Sequence, residues 1–334
     1  MKSDDKIELS FIIPTFNSQA TIVAAVSSLL KLRNVTSEII IVDDGSTDDT
    51  IRRINSVLLA NKPGPSIRVL QEAHAGAGAA RNMGIENAKG KYLMFVDADD
   101  CVINCEKIER EIRQETAEVI VFSKAIQANQ KRTRDELIAD NLGLNLNGVF
   151  DSGPVSKLYN RRFIVEHNIR FLSEVKIGED LVFNLDVLSQ ARDVRLVSGG
   201  VYQVNNSATS ITHSLYGAQL VADTNRLMAA VVRERLLVAG VSDQLVTQFV
   251  YKQFLMLLVK LAKSESSVME CVRLLKQSRL GQSELQSLPS KQAFTWTQRT
   301  VLKLAHQMPL VLPILIWLLR HRANRKKESA RFII

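Results

Sequence analysis

Tyr92-Leu93-Met94-Phe95-Val96-Asp97-Ala98-Asp99-Asp100 drives an apolar run straight into three carboxylates, and that junction decides the fold. The apolar part reads as a buried strand. In an extended chain residues two apart project to the same side, so Asp97 and Asp99 are expected to share a face at the strand's carboxyl end. Acids crowded in this way repel one another unless a cation sits between them, and a hard divalent ion with oxygen ligands is the usual solution. The stretch therefore reads as a metal and diphosphate site. Taken in isolation it reads more simply as a solvated turn, with Asp99 or Asp100 capping the next helix.

The surroundings favour the site. Upstream, Leu9–Pro14, Glu38–Asp43, Ile67–Gln71 and Tyr92–Val96 read as strands alternating with helices at Ala20–Leu32, Asp48–Leu59 and Gly78–Ala88. A helix near Cys105–Glu115 and a strand over Ala117–Phe122 continue the pattern. Unbroken apolar strands such as Ile39-Ile40-Ile41-Val42 imply burial on both faces, hence an α/β fold with a mostly parallel sheet between helices. Ligands of such sheets gather at the carboxyl ends of the strands, and here those ends carry Pro14-Thr15-Phe16-Asn17, Asp43-Asp44-Gly45-Ser46 and the acidic triplet. Asp48 is placed to cap the second helix. The stretch Gly76-Ala77-Gly78-Ala79-Ala80-Arg81 imitates a dinucleotide fingerprint, but its third glycine is replaced by Arg81 and it follows the third strand, which excludes a nicotinamide or flavin site. A glycine-rich turn opening a helix still lets backbone approach phosphate.

The 334 residues, 46% hydrophobic and 23% charged, suit one large or two modest domains and exclude a disordered chain. Met1–Glu8 is polar and the run Leu9–Pro14 is too short for the core of an export signal, so the catalytic part is expected in the cytoplasm. Cys101, Cys105 and Cys271 form no metal-type spacing and read as reduced thiols, with Cys101 packed beside the site. The net charge of +8 is concentrated at the end: Arg320, Arg322, Arg325, Lys326, Lys327 and Arg331 stand against one acid, Glu328. Before them lies Met308–Leu319, uncharged, too short for a helix to span about 30 Å of hydrocarbon, and carrying Trp317. This combination points to an anionic membrane surface rather than nucleic acid, with Pro309 and Pro313 arguing for a short interfacial element; the plainer alternative is a core helix followed by a solvated tail. From about Ala218 the chain reads as helical, with Phe249, Phe254, Leu257, Leu258 and Leu261 forming an apolar stripe, and 129–151 reads as a mobile insert.

In order along the chain, SFIIPTFN (Ser10–Asn17), EIIIVDDGSTDDT (Glu38–Thr50), GAARNMGIENAKGKYLMFVDADD (Gly78–Asp100), SKLYNRRFIVEHNIRF (Ser156–Phe171) and GEDLVF (Gly178–Phe183) resemble the family-2 glycosyltransferases of the GT-A fold, of the bacterial cell-surface polysaccharide type. The resemblance covers roughly Ile7–Thr212. It implies a catalytic domain over 1–216, its nucleotide-binding part ending near 123; the helical region over 217–334 lies outside the resemblance. It also implies a nucleotide-sugar donor, a glycan or lipid-linked acceptor, and Mn²⁺ or Mg²⁺. Residue by residue, it implies that Pro14, Thr15 and Phe16 line the nucleoside, that Asp44 accepts from the base, and that Arg81 approaches the base or diphosphate. Asp97 is expected near the ribose and, with Asp99, at the metal; Glu179 and Asp180 supply the catalytic pair, with Asp180 as the base. His213, after Ser207 and Thr209, is where some relatives place a further metal or diphosphate contact, although a lone histidine is more often structural.

Two other classes compete. A nucleotidyltransferase also clusters aspartates on an α/β sheet, but it needs a glycine-rich basic loop after the first strand, where this chain has Thr15-Phe16-Asn17-Ser18. A non-catalytic binding module would retain the fold while losing acids, and all the expected acids are present.

Overall fold

The computed structural model describes residues 7–60, 65–114, 117–127, 130–145, 147–172, 175, 178–205, 217–277, 295–307 and 311–331. The chain divides into two compact units, one drawn from Met1–Asn141 and Val149–Thr209, the other from Leu142–Gly148 and Ser210–Ile334.

The first unit begins with β1 (Leu9–Thr15), α1 (Ile22–Leu29), β2 (Ser37–Asp43), α2 (Thr50–Ala60), β3 (Ser66–Gln71), α3 (Ala77–Asn87) and β4 (Tyr92–Phe95). It continues through β5 (Cys101–Val102), α4 (Cys105–Arg113), β6 (Val119–Ser123), α5 (Arg134–Asn141), β7 (Lys157–Asn160), α6 (Arg161–Glu166), α7 (Glu179–Gln190), β8 (Val194–Ser198) and β9 (Tyr202–Gln203). Seven strands form one sheet in the order β3-β2-β1-β4-β7-β6-β8, parallel except for β7, which runs against both neighbours. β5 and β9 pair separately. The register sets Thr15 opposite Asp43 and Ile12 opposite Phe95, so the carboxyl ends of β1, β2 and β4 share one edge.

Burial follows from the apolar runs. Leu9, Phe11, Ile13, Ile39, Ile41 and Met94 pack with Ile22, Val26, Leu29, Ile108 and Ile112 of the helices. α3 lies close against β1 because Gly84 has no side chain: a Cβ there would come within 2.3 Å of Ile12 Cγ2. Beneath the site Phe95, Tyr159, Phe171 and Phe183 form an aromatic cluster, with Phe171 and Phe183 stacked at 4.0 Å.

Two expectations are corrected here. β4 ends at Phe95, and the Asp100 amide donates to Asp97 O (3.1 Å), so the three acids lie on a turn and the alternation of a strand does not govern them. Within 129–151, taken as a mobile insert, α5 is an ordered helix with Leu137 and Ile138 buried; Asn129 itself lies outside the described residues.

The second unit holds α8 (Ala218–Val238), α9 (Asp243–Lys263), α10 (Val268–Gln277), α11 (Trp296–Gln307) and α12 (Leu312–Arg331). Its core joins Leu257, Leu258, Leu261, Cys271, Leu274 and Leu275 to Leu312, Leu315 and Ile316. Lys252 ties in the 142–148 segment through Leu142 O (2.6 Å) and Gly143 O (2.8 Å). The short interfacial element is also corrected: α12 runs for 20 residues, because Pro313 falls in its first turn, where a missing amide hydrogen costs nothing. One face of α12 is core, whereas Ile314 (56%), Trp317 (55%) and Leu318 (51%) are exposed. Met308–Leu310 lie outside the described residues. Among the described residues one helix, Asp243–Lys263, is long and apolar enough to cross a membrane, and half of its apolar window is buried.

Candidate active site

The edge made by β1, β2 and β4 begins with residues that hold the backbone in place. Pro14 and Thr15 are buried within β1, and Thr15 O accepts from the Asp44 amide (2.8 Å). Only Phe16, 44% exposed, opens to solvent. Asp44 is buried, and its carboxylate receives the amides of Ala75 (2.6 Å) and Gly76 (3.0 Å), while the His74 ring Nδ1 hydrogen-bonds the Asp44 backbone O (3.1 Å) and lies 2.8 Å from Oδ2. A carboxylate offers about four lone-pair sites, so about two remain beyond the amides. Gly76, at φ +97°, makes the turn that delivers these amides and starts α3 at Ala77. Asp48 fulfils its expected role, accepting from Thr50 N (3.0 Å) at the start of α2.

Arg81 joins the two sides of the site. Its side chain is only 6% exposed; Nη2 donates to Asp97 Oδ1 (3.0 Å), Nη1 to Asp180 Oδ1 (2.8 Å), and Glu179 Oε1 lies 3.6 Å away. The guanidinium sits 5.3 Å over the Phe171 ring. Burial disfavours its charge, yet Asp180, Asp97 and Glu179 outweigh that and hold it above the ordinary arginine range. Asp180 lies in the first turn of α7, behind the left-handed Gly178, and makes no side-chain cap there. Its carboxylate is engaged with Arg81 instead. Burial pushes Asp180 up to about 7; Arg81 opposes the rise, while Glu179 and Asp97 add to it.

The acidic turn is sorted by burial. Asp100 is buried and accepts from Asn205 N (2.7 Å); burial raises its pKa against that hydrogen bond. Asp97 and Asp99 are half-buried. Both carry carboxylate oxygens, hard donors of the kind a divalent ion takes, on one tight turn, and Asp97 Oδ1 is engaged by Arg81 (3.0 Å). Among the described residues no group of three or more His, Cys, Asp or Glu side chains forms a self-sufficient metal cage. His213, Ser207 and Thr209 lie outside the described residues.

Four contributors were not singled out from the sequence. The His74 ring stacks on Phe16 at 4.3 Å, extending the exposed aromatic surface. Tyr202 accepts from the Asp97 amide at its hydroxyl (2.9 Å), and Asn205 Nδ2 donates to Asp99 O (2.9 Å), so a segment more than 100 residues downstream fixes the acidic turn. Lys157 is fully buried near Asp180. Only His74 carried a local signal, lying directly before the glycine-rich turn.

The fold matches the GT-A fold expected from the sequence. Residues 1–349 of Staphylococcus aureus TarS, crystallised with UDP-GlcNAc, share this fold with a TM-score of 0.66 at 19% identity, over 96% of this chain and 92% of that one. Residues 10–170 match the family model for glycosyl transferase family 2. Relatives include the Rhizobium meliloti succinoglycan biosynthesis protein ExoO (30% identical, 64% of this chain, 63% of the relative). They also include the Bacillus subtilis glycosyltransferase EpsJ (27%, 62% and 64%) and the S. aureus poly(ribitol-phosphate) beta-N-acetylglucosaminyltransferase TarS (25%, 74% and 44%). The chain thus spans less than two thirds of the length of these relatives.

Proposed function

We propose that this protein is a metal-dependent, inverting glycosyltransferase. It moves a hexosyl or N-acetylhexosaminyl group from a UDP-sugar to a hydroxyl of a glycan or lipid-linked acceptor in cell-envelope or exopolysaccharide synthesis. The observation that carries this reading is the Arg81 bridge, which holds Asp180 and Asp97 on one guanidinium at the ligand edge of the sheet. Asp180 Oδ1 is fixed by Arg81, leaving Oδ2 to take the acceptor's proton as that oxygen attacks the anomeric carbon. A positioned base supplies about 10²- to 10⁴-fold in rate, and one poised near neutral pH suits the task. Glu179 supports the pair from the same turn. Asp97 and Asp99 would hold Mn²⁺ or Mg²⁺, which neutralises charge on the departing diphosphate. Phe16 offers a ring to the nucleobase and Asp44 an acceptor. The UDP and UDP-GlcNAc bound to TarS support a uridine donor, and the names of ExoO and TarS support a polymeric acceptor.

In this reading 1–216 is the catalytic domain, and the 217–334 region lies on the cytoplasmic face of a membrane. Support comes from the exposed stripe Ile314-Trp317-Leu318 of α12, followed in sequence by the basic tail. The experiment is a nucleotide-sugar panel with Mn²⁺, read by thermal shift and donor hydrolysis, followed by NMR of the product anomer. One UDP-sugar should stabilise the protein in a metal-dependent way and give inverted product. Retained configuration, or no stabilisation by any donor, defeats the proposal.

A further inference from the structure

Lys157 of β7 is 1% exposed, and its ammonium has three hydrogens for three oxygens: Asp151 Oδ1 (2.8 Å), Gly153 O (2.6 Å) and Val155 O (3.4 Å). It lies 4.6 Å from the Phe150 ring centroid. Asn184, fully buried on α7 one turn after Asp180, donates from Nδ2 to Ser152 O (2.9 Å) and Gly153 O (3.0 Å). Its Oδ1 accepts from the Tyr159 hydroxyl (2.8 Å), which also reaches Pro154 O (3.3 Å). Each residue from Asp151 to Val155 is therefore held from the buried side by Lys157, Asn184 or Tyr159. Burying a whole charge is expensive, and it persists only where its partners are fixed.

What this arrangement delivers at the surface is one oriented carboxylate. Asp151 Oδ1 accepts from Lys157 and from Gly153 N (3.1 Å), while the side chain is 71% exposed, so Oδ2 is open to solvent-borne hydroxyls. Through Asn184, one turn along α7 from Asp180, the backbone next to Asp151 is hydrogen-bonded to the helix that carries Asp180. In the strand order β7 lies beyond β4, away from β1 to β3, whose carboxyl ends would face the donor nucleotide in the glycosyltransferase reading. A carboxylate held on one side and free on the other is a good acceptor for sugar hydroxyls.

We propose that Asp151 Oδ2 binds a hydroxyl of the acceptor pyranose, and that Lys157, with Asn184, is the positioning residue that aims it toward Asp180. This rests on the glycosyltransferase reading above and names the acceptor side of the same site.

Acceptor kinetics of the full chain test it, using a donor found by hydrolysis and a panel of p-nitrophenyl pyranosides. Asp151→Ala should raise the pyranoside KM about 10- to 100-fold, the worth of a hydrogen bond to a charged group, with kcat within about threefold. UDP affinity by calorimetry should not move, and Asp151→Asn should fall between wild type and Ala. Lys157→Met should reproduce the KM effect where it folds; since it opens a buried site, Asp151→Ala decides the matter. An unchanged KM overturns the proposal, as does a fall in UDP affinity in parallel with the KM rise, which marks a general disturbance of the fold. A wild type that hydrolyses a donor yet transfers to no pyranoside overturns it too. Hydrolysis of no donor instead sinks the glycosyltransferase reading itself, and this proposal with it.

Discussion

The two units handle polarity in opposite ways. The α/β unit buries charged side chains both at the ligand edge, Arg81 against Asp97 and Asp180, Lys157 against Asp151 and Asp44 against its amides, and away from it, Glu38 against Ser10 and Arg68 and Glu109 against the 33–34 backbone. In the helical unit a buried polar pair is neutral, Asn225 Nδ2 to Gln253 Oε1 (3.0 Å), and apolar side chains are left outside along α12. Desolvating an ion is costly, and a buried charge persists only where its partners are fixed. The difference teaches that the α/β unit holds charge in fixed positions, at the ligand edge and elsewhere, while the helices are built for packing and for a surface.

The sharpest way to break this comparison is Asp180→Asn. Turnover should fall about 10³-fold with the melting temperature little changed, because α7 keeps its backbone start at Gly178. Near-normal turnover would show that Asp180 is not the base. The same base predicts a pH profile: the carboxylate must be deprotonated to act, so kcat/KM should drop about tenfold per pH unit below about 7 and level off above it. A profile flat down to pH 5 contradicts it.

Next in size is Arg81→Met, which leaves Asp97, Asp180 and Glu179 facing one another without their counter-charge. A loss of about 3 kcal/mol in urea unfolding is expected, with activity lost as well. A variant as stable as wild type would show that the bridge is not needed to hold the acids together.

A smaller effect is expected of Asp99→Asn, a change at a half-buried turn residue. Metal-dependent UDP affinity should weaken about 10- to 100-fold, while metal-independent affinity and stability hold. Equal metal dependence in wild type and variant would remove the ion from this turn.

The smallest effect concerns the helical unit. Removing all of α12 would strip Leu312, Leu315 and Ile316 from a core, so the cleaner change is Trp317→Ser with Leu318→Ser on its exposed face. Partitioning onto anionic liposomes at low salt should fall about tenfold, with donor hydrolysis unaffected. Equal partitioning leaves the stripe without this role.

Local pattern alone was enough to determine the alternating strands and helices, the buried sheet and the chemistry-bearing strand ends, because apolar periodicity and strand-end chemistry act over a few residues. It also singled out Asp97, Asp99, Arg81 and Asp180 as residue types suited to one site, through motifs that resemble a family. It could not say that Arg81 spends its charge on Asp180 and Asp97 rather than lying free for a ligand. Nor could it say that Tyr202 and Asn205 lock the acidic turn, that Lys157 is buried beneath Asp151, or that Pro313 begins a long helix instead of ending a short one. The pairings were decided by tertiary structure alone, since each depends on which distant side chain fills the remaining hydrogen-bonding positions of a buried group, and pairing of that kind leaves no period in the sequence; the length of α12 follows instead from Pro313 falling in its first turn.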